Sequence, residues 1–482
     1  MTGTSLVVRD LAFGVRPVRL RLPFRFGAVT LTACPQLFVR ASVEVAGHGR
    51  ADGHAAEMMV PKWFDKRPEY TQSNNIAHLV RSCERAAQAY VNDRAATPFG
   101  LYARHYAALM DAGERAGATA LSSAYGQAVV DRAVLDAACR ATGLSFFDAA
   151  QRNLVGLTDD PLLDDLQGFD WRAWLASLTP LRRIAARHTV GMLDELSPAR
   201  DAADGLPLTL PAVIDRYGVR IFKIKLGGDP AADIARLDDV LRVLADRVPG
   251  HRYSLDGNEQ YRDVAALADF LARLQALAAH AARPDALLYL EQPLAREASL
   301  DPALPALCAR HPWLALLIDE ADGRLDAFPR ATPFGWRGVS SKSCKGLYKA
   351  IINRARCERW NMQAQREGST ARYFMSAEDL TCQAGLSVQQ DLALLALLGL
   401  EHSERNGHHY GDGFGTAPAH EADAFAAAHP DLYDTRSGRP RLRIERGQIA
   451  IDSLFGPGYA HADAATVDWA TLQPLAAAAS LV

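Results

Sequence analysis

The chain has 482 residues, too many for one simple core and suited to two or three domains, or to a barrel with an added domain. Hydrophobic residues make up 49% and charged residues 23%, which excludes a disordered or coiled-coil chain. With 53 Lys+Arg against 56 Asp+Glu the formal net charge is -3, so no overall basicity argues for nucleic acid, and no apolar run reaches the roughly 18 residues of a membrane span.

Residues 1 to about 60 alternate as antiparallel strands do, in VRLRLPFRF and LFVRASVEVAG, broken by Pro35, Gly47 and Gly49. Two stretches with apolar residues at three- and four-residue spacing follow, NNIAHLVRSCERAAQAYV and AVVDRAVLDAACRATG. Together they predict an α+β domain over 1–150. Residues 151–185 are acidic and proline-punctuated, an ornamented connection. Beyond them short apolar strands alternate with Ala/Leu/Arg-rich helices. Strands are predicted at 189–193, 219–226, 252–257, 287–292, 314–319, 338–343, 372–377 and 398–403. Eight βα units over roughly 220 residues fit a (β/α) TIM barrel within 151–412, whose functional groups sit at strand carboxyl ends. An open doubly wound sheet is the alternative, but no G-x-G-x-x-G follows the first strand. The segment 413–482 ends in a hairpin-like RLRIERGQIAIDS, expected to rejoin the N-terminal sheet and complete that domain.

Seven widely spread cysteines without a C-x-x-C pair suggest neither a disulfide framework nor a thiolate zinc site. The start lacks the apolar core and cleavage site of a secretory signal, so a cytoplasmic enzyme is expected.

Charges at the ends of core strands carry the functional signal. A buried charge is costly unless it is paired, metal-bound or facing a wet cleft. YSLDGN closes on Asp256, LLYLEQP on Glu291 and LALLIDE on Asp319, 35 and then 28 residues apart, one βα unit each. An all-carboxylate set without His or Cys suits Mg²⁺, with Mn²⁺ the alternative, better than zinc. Asn258, Glu259, Gln292 and Glu320 adjoin these ligands and are expected to orient them; Glu320 is the rival of Asp319 as ligand. In IFKIKL, Lys223 and Lys225 share one strand face. Their mutual repulsion and partial burial disfavour the charged form, which suits a lysine to act as a base. Lys342 holds the inward position of the sixth strand, across the barrel from Lys225, with Lys345 in the loop beyond. Glu378, Asp379 and His402, near the ends of the last two strands, are candidates for substrate contact. Against each reading stands a bland one: solvated lysines, helix-capping acids, ordinary salt bridges.

The succession K-x-K, D-x-N, E-Q-P, D-E and a further strand lysine resembles the enolase superfamily, and more closely its muconate lactonizing enzyme and mandelate racemase branch. KIKLGGD, LDGNEQY and LEQPL carry the likeness. It implies a capping domain over a modified TIM barrel, Mg²⁺ held by Asp256, Glu291 and Asp319, and Lys225 as base on one face of the substrate. It also implies that Lys223 tunes Lys225 and that Lys342 is base or cation on the opposite face. The reaction implied removes the proton α to a carboxylate through an enediolate, leading to racemisation, epimerisation, cycloisomerisation or elimination. A small-molecule carboxylate and a homo-oligomer are the expected partners, by analogy. The sixth-strand motif departs from the usual lysine and Gly-Gly turn, because SSKSCKGLYK has only Gly346. Phe26, Met59, Trp63 and Phe64 in two cap loops would make an apolar lid over the substrate. Acid-sugar dehydration and a non-catalytic barrel are the alternatives; the former usually needs a His on the seventh strand, which is absent here.

Overall fold

The computed structural model describes residues 3–436, 438–460, 462 and 467–482. Strands β1 (Leu6–Phe26), β2 (Val29–Val45) and β3 (Gly49–Met58) form an antiparallel meander. The expected break at Pro35 does not occur: β2 runs through it, with Pro17 directly opposite in β1. Facing prolines withhold nothing from each other where opposed residues exchange no hydrogen bonds. The β1–β2 turn is tight at Gly27, whose φ of 53° suits glycine and whose missing Cβ would stand 2.6 Å from the Gln260 side chain of the barrel.

Three helices cover the sheet. α1 (Gln72–Tyr90) opens on a capping box between Thr71 and Asn74, and α3 (Ala120–Thr142) runs from a Thr119 cap to a left-handed Gly143. The helix between them, α2 (Pro98–Arg115), was not expected from the sequence. Its opening Pro-Phe-Gly looks like a breaker, but Thr97 caps Gly100 N and Pro98 sits in the first turn, where its missing N–H costs nothing. α3 lies against β3 so closely that a Cβ on Gly53 would stand 2.1 Å from Ala137 N and 2.2 Å from Ala133 O.

Eight parallel strands close a barrel: β4 (Arg183–Val190), β5 (Ile221–Lys225), β6 (Arg252–Asp256), β7 (Leu287–Glu291), β8 (Leu316–Ile318), β9 (Trp336–Ser341), β10 (Phe374–Ala377) and β11 (His402–Arg405), with β11 pairing back to β4. This is a TIM barrel with a separate antiparallel cap. All eight strands overlap the expected spans, two of them only at an end: β4 starts earlier, at Arg183, and β11 ends later, at Arg405. Lys225, Asp256 and Glu291 are register partners across β5, β6 and β7, so their side chains emerge at one level of the mouth.

The C-terminal hairpin behaves differently from expectation. Gln448–Ala450 pairs antiparallel with β4 of the barrel, and only Gln473–Pro474 returns to β1 of the cap. The acidic connection folds into two short helices, Pro161–Leu166 and Trp171–Ser177, with Asp165 bidentate to Arg356 on the helix Leu347–Arg366 at 2.8 and 2.9 Å. The seven cysteines are free, and among the described residues no helix is long and apolar enough to cross a membrane.

Cap and barrel meet through a fully buried ion pair. Arg132 of α3 holds Glu57 of β3 at 2.9 Å and reaches Gln390 of the barrel helix Leu386–Leu397, while Ser343, next to Lys342, donates to Glu57 at 2.7 Å. Because β3 can approach α3 only without a side chain at position 53, Gly53→Val is expected to destabilise the protein by about 1–3 kcal/mol, the usual cost of overpacking. Urea denaturation checks this; an unchanged midpoint contradicts the close approach.

Candidate active site at the barrel mouth

Lys223 organises the mouth. Its side chain is fully buried, and Nζ lies 2.9 Å from Asp256 Oδ2, 2.6 Å from Glu378 Oε2 and 3.0 Å from Glu404 Oε2. Glu291 brings both oxygens close, Oε1 at 2.9 Å and Oε2 at 2.8 Å, but only Oε1 accepts a hydrogen bond. Burial alone would push the Lys223 amine down. The surrounding carboxylates, Asp256 and Glu291 foremost, reverse this and hold it well above the ordinary lysine range. The sequence expectation of a repelled, easily deprotonated Lys223 is therefore corrected: four acids from β6, β7, β10 and β11 outweigh one neighbouring lysine. It is a fixed cation, not a base.

Lys225 and Lys342 face a different environment. Both line a small cavity with Phe24, Phe26, Val60, Trp63, Asn258 and Glu404. Lys225 Nζ is 2.6 Å from Asp256 Oδ2, and Lys342 Nζ is 2.6 Å from Asp319 Oδ2. Barrel strands two and six are opposite in an eight-stranded ring, so the two amines approach the cavity from opposite sides. Burial lowers the Lys342 amine, but Asp319 outweighs it and the net shift is upward. Lys345 lies beneath this cavity, on Ser340 Oγ at 2.6 Å and Asp322 Oδ2 at 3.0 Å, which leaves Lys342 as the lysine that faces the site.

The carboxylates Asp256, Glu291 and Asp319 are all fully buried at neighbouring strand ends. Burial tends to raise each one. Lys223 and Lys225 reverse this at Asp256, and Lys342 and Lys345 do so more strongly at Asp319. Glu291 stays well above the usual carboxylate range, because burial combines with the charges of Asp256 and Glu378. The expected convergence is not realised as such. Among the described residues these three do not bring one oxygen each within 4.8 Å of one another, since Lys223 draws Asp256 and Glu291 while Lys342 draws Asp319. The donor set nevertheless fits a hard cation. It is all oxygen, and Glu291 keeps a buried oxygen that accepts no hydrogen bond.

Of the residues expected to orient these groups, Gln292 and Asn258 touch them, whereas Glu259 and Glu320 face the cap. Gln292 accepts from the backbone N of Asp319 and of Ala321 at 2.9 and 3.1 Å, and donates to Leu294 O and Ser299, which locks the ends of β7 and β8 together. Asn258 donates its backbone N to Asp256 Oδ1 at 2.9 Å and its amide to Glu320 at 3.3 Å. Glu320 points toward the cap: Lys66 bridges Glu320 and Glu259 at 2.8 and 2.7 Å, and Arg296 clamps Glu259 and donates to Phe64 O. This latch seats Trp63 with its ring 4.2 Å from Lys342 Nζ. Phe26 and Trp63 thus form the roof, as expected, whereas Met59 and Phe64 belong to the cap core. Under the closed roof there is room for a water or two, about 20 Å³.

Two sequence candidates fall elsewhere. Glu378 points into the barrel, bound by Lys223, Arg187 and Tyr289 at 2.6, 2.5 and 2.9 Å, and does not line the cavity. His402 begins β11 instead of ending it and pairs with Ala185 near the start of β4, at the opposite end of the barrel. The residue at the mouth is Glu404, two positions on and on the same strand face. Asp379 reaches the cavity wall, but its carboxylate accepts from Cys382 N, Asn406 N and Gly407 N and shapes the loops there. Sequence reasoning also missed Arg187, fully buried in β4, because that strand was placed too late in the chain.

No protein-family model and no curated protein matches the chain. Solved structures do. An enolase from Bradyrhizobium complexed with magnesium and mandelic acid is 17% identical, covers 96% of this chain and 97% of its own, and superposes with a TM-score of 0.57. A dipeptide epimerase from Enterococcus faecalis complexed with Mg and L-Leu-L-Tyr is 14% identical over 94% and 99%, with a TM-score of 0.57. A muconate lactonizing enzyme from Pseudomonas fluorescens complexed with muconolactone is 14% identical over 94% and 95%, with a TM-score of 0.55. The chain shares the capped-barrel fold of these structures over nearly its whole length.

Replacing Lys223 by Met leaves four buried carboxylates without their shared cation. A loss of about 3–5 kcal/mol at neutral pH is expected in urea denaturation. The contribution of Lys223 is present at all pH values below the ordinary lysine value and is lost only as pH rises through its higher folded value. Glu291, held above the usual range, binds a proton first as pH falls, so the difference between variant and parent narrows toward acid pH. A variant as stable as the parent at pH 7 contradicts this role.

Proposed function

We propose that this protein, built on the enolase-superfamily fold, removes the proton α to the carboxylate of a small acid to give an enediolate, which is reprotonated at the same carbon from the opposite face in a racemase or epimerase, or interconverted with a ring-opened or ring-closed isomer in a cycloisomerase. The observation that carries the reading is one cavity with an amine on each side, Lys225 from β5 and Lys342 from the end of β9, each beside a strand-end carboxylate. Asp256, Glu291 and Asp319 would hold Mg²⁺. Bound there, the ion would supply a fixed positive charge to balance the charge that builds on the substrate carboxylate as the α-proton leaves.

The chain's own residues do the rest. As an ammonium ion on Asp319, Lys342 can give a proton or steady negative charge but cannot accept one. With Asp319 engaged elsewhere, burial is the larger influence left and lowers the amine toward the base form. Lys225 has the matching position, with Asp256 as its partner. Lys223 keeps Asp256, Glu291, Glu378 and Glu404 together without entering the cavity. Phe24, Phe26, Val60 and Trp63 exclude water, and admission of substrate requires the β1–β2 tip or the latched Trp63 segment to swing away.

The apolar roof favours an acid with a hydrophobic substituent, such as an N-acyl amino acid or a dipeptide, over a polyhydroxylated acid sugar. A second reading, a barrel that binds without catalysis, is favoured by one observation: each carboxylate is already paired with a lysine.

Exchange of substrate α-hydrogen with deuterated solvent separates these readings. With Mg²⁺ present, a panel of N-acyl amino acids, dipeptides and acid sugars is expected to show exchange among the first two. Lys225→Met and Lys342→Met should each slow proton transfer on one face by about 10²–10⁴-fold, the usual worth of a general acid or base. No exchange with any acid would leave the binding barrel, and exchange with acid sugars alone would reverse the substrate ranking.

A further inference from the structure

Beside the barrel seam lies a second cluster of donors that the proposed reaction does not use. Arg187 of β4 points inward, so its neighbour His188 points out of the barrel. There it meets the loop after β4 and the short helix Gly407–Tyr410 after β11. A ring nitrogen of His188, one of His409 and a carboxylate oxygen of Asp194 lie within 4.8 Å of one another. His408 is packed against the same ring, 5.4 Å from His188 between centroids, with His409 at 5.1 Å. His188 is 1% exposed, His409 2% and His408 9%. Nδ1 of all three, and Nε2 of His408, have no hydrogen-bond partner in the protein.

Buried ring nitrogens without partners are costly, and four in one place call for an explanation. Burial brings all three down, helped at His188 by the other two histidines, at His408 by His409, Arg405 and Arg21, and at His409 by Arg21; His408 and His409 fall to about 3 and His188 well below its usual value. All three are therefore neutral at physiological pH and offer lone pairs, not charges. Asp194 is already oriented, accepting from Tyr410 OH at 2.7 Å and from Gly191 N at 2.9 Å. Two cations border the cluster: Arg21 donates to His409 O at 2.7 Å and is answered by Asp204 at 2.6 Å, and Arg236 donates to Gly191 O and Asp194 O, each at 2.9 Å.

We propose that His188, His409 and Asp194 bind one divalent transition-metal ion of the zinc class, with a water molecule as the fourth donor. Imidazole nitrogens with a single carboxylate are a zinc set and a poor one for Mg²⁺, which demands oxygen. The ion would tie the loop after β4 to the helix after β11, at the pairing that closes the barrel. It would also fix Tyr410, whose ring packs 4.3 Å from Phe24, the roof residue 5.8 Å from Lys225 Nζ. The site is structural, and it bears on the chemistry only through the seating of the roof.

The test uses the full chain carrying Asp256→Asn/Glu291→Gln, so that the barrel-mouth carboxylates cannot account for binding. After chelator treatment, Zn²⁺ titration and Co²⁺ substitution should show one equivalent per chain, with the intense visible bands of four-coordinate cobalt, undisturbed by excess Mg²⁺. His409→Gln should weaken Zn²⁺ by roughly 100-fold or more, since losing even a partner of a ligand costs up to about that much. Asp194→Asn, at a half-buried position, should weaken it similarly and guards against misfolding of the histidine variant, with circular dichroism as the check. No bound equivalent, displacement by Mg²⁺, or equal binding in a folded variant overturns the proposal.

Discussion

The Lys223 ammonium is the interaction on which the barrel mouth depends. It joins acids from four strands, and through Glu378 it connects to Arg187 of β4 and Tyr289 of β7. Without that charge, carboxylates on adjacent strands would face one another in a dry interior, where like charges repel strongly and desolvation is unforgiving. A lysine two residues earlier than the cavity-facing one is what lets the acids be crowded together at all. The K-x-K spacing thus has a division of labour: Ile224 packs outward, Lys223 neutralises the core of the mouth, and Lys225 faces the cavity.

That arrangement also explains how the roof and the floor are coupled. Asp319 is gripped from behind by Ser340 and Lys345 and from the cavity side by Lys342. Lys342 lies against Trp63, which the Lys66–Glu320–Glu259–Arg296 latch holds in place, and the loop carrying Lys342 is fastened to the cap by Ser343 on Glu57. Opening the roof therefore disturbs the environment of one amine directly. The residues that would choose a substrate and the residues that would do chemistry on it share contacts, as expected where a lid completes a site.

Much of this was legible in the chain. Each strand-end acid stood immediately after an apolar run, and the βα spacing placed them on consecutive strands; that Lys225, Asp256 and Glu291 are register partners is set by the strand pairing of the folded barrel. What was not legible came from two sources. Strand limits were misjudged where an apolar run was interrupted: the buried Arg187 made β4 look as if it began later, and the Leu-rich helix end before β11 drew that strand too early, which turned attention to His402 instead of Glu404. Charge balance was the other. K-x-K in isolation reads as two repelling amines, and only the three-dimensional count of acids around Lys223 reverses the sign. The neighbours His408 and His409 give no sign of a cluster in the sequence, because their third partner, His188, lies more than 200 residues away in the chain.

Asp256, Glu291 and Asp319 stand beside the permanently charged Lys223, and the proposed divalent ion would join them without displacing that lysine. A crystal structure grown with Mn²⁺, with anomalous diffraction recorded, tests it most directly. The account predicts one anomalous peak among Asp256, Glu291 and Asp319, with Lys223 still on Glu378 and Glu404 and the Lys342 amine released from Asp319. A map with no peak there, and the lysine–carboxylate pairs unchanged, would contradict it.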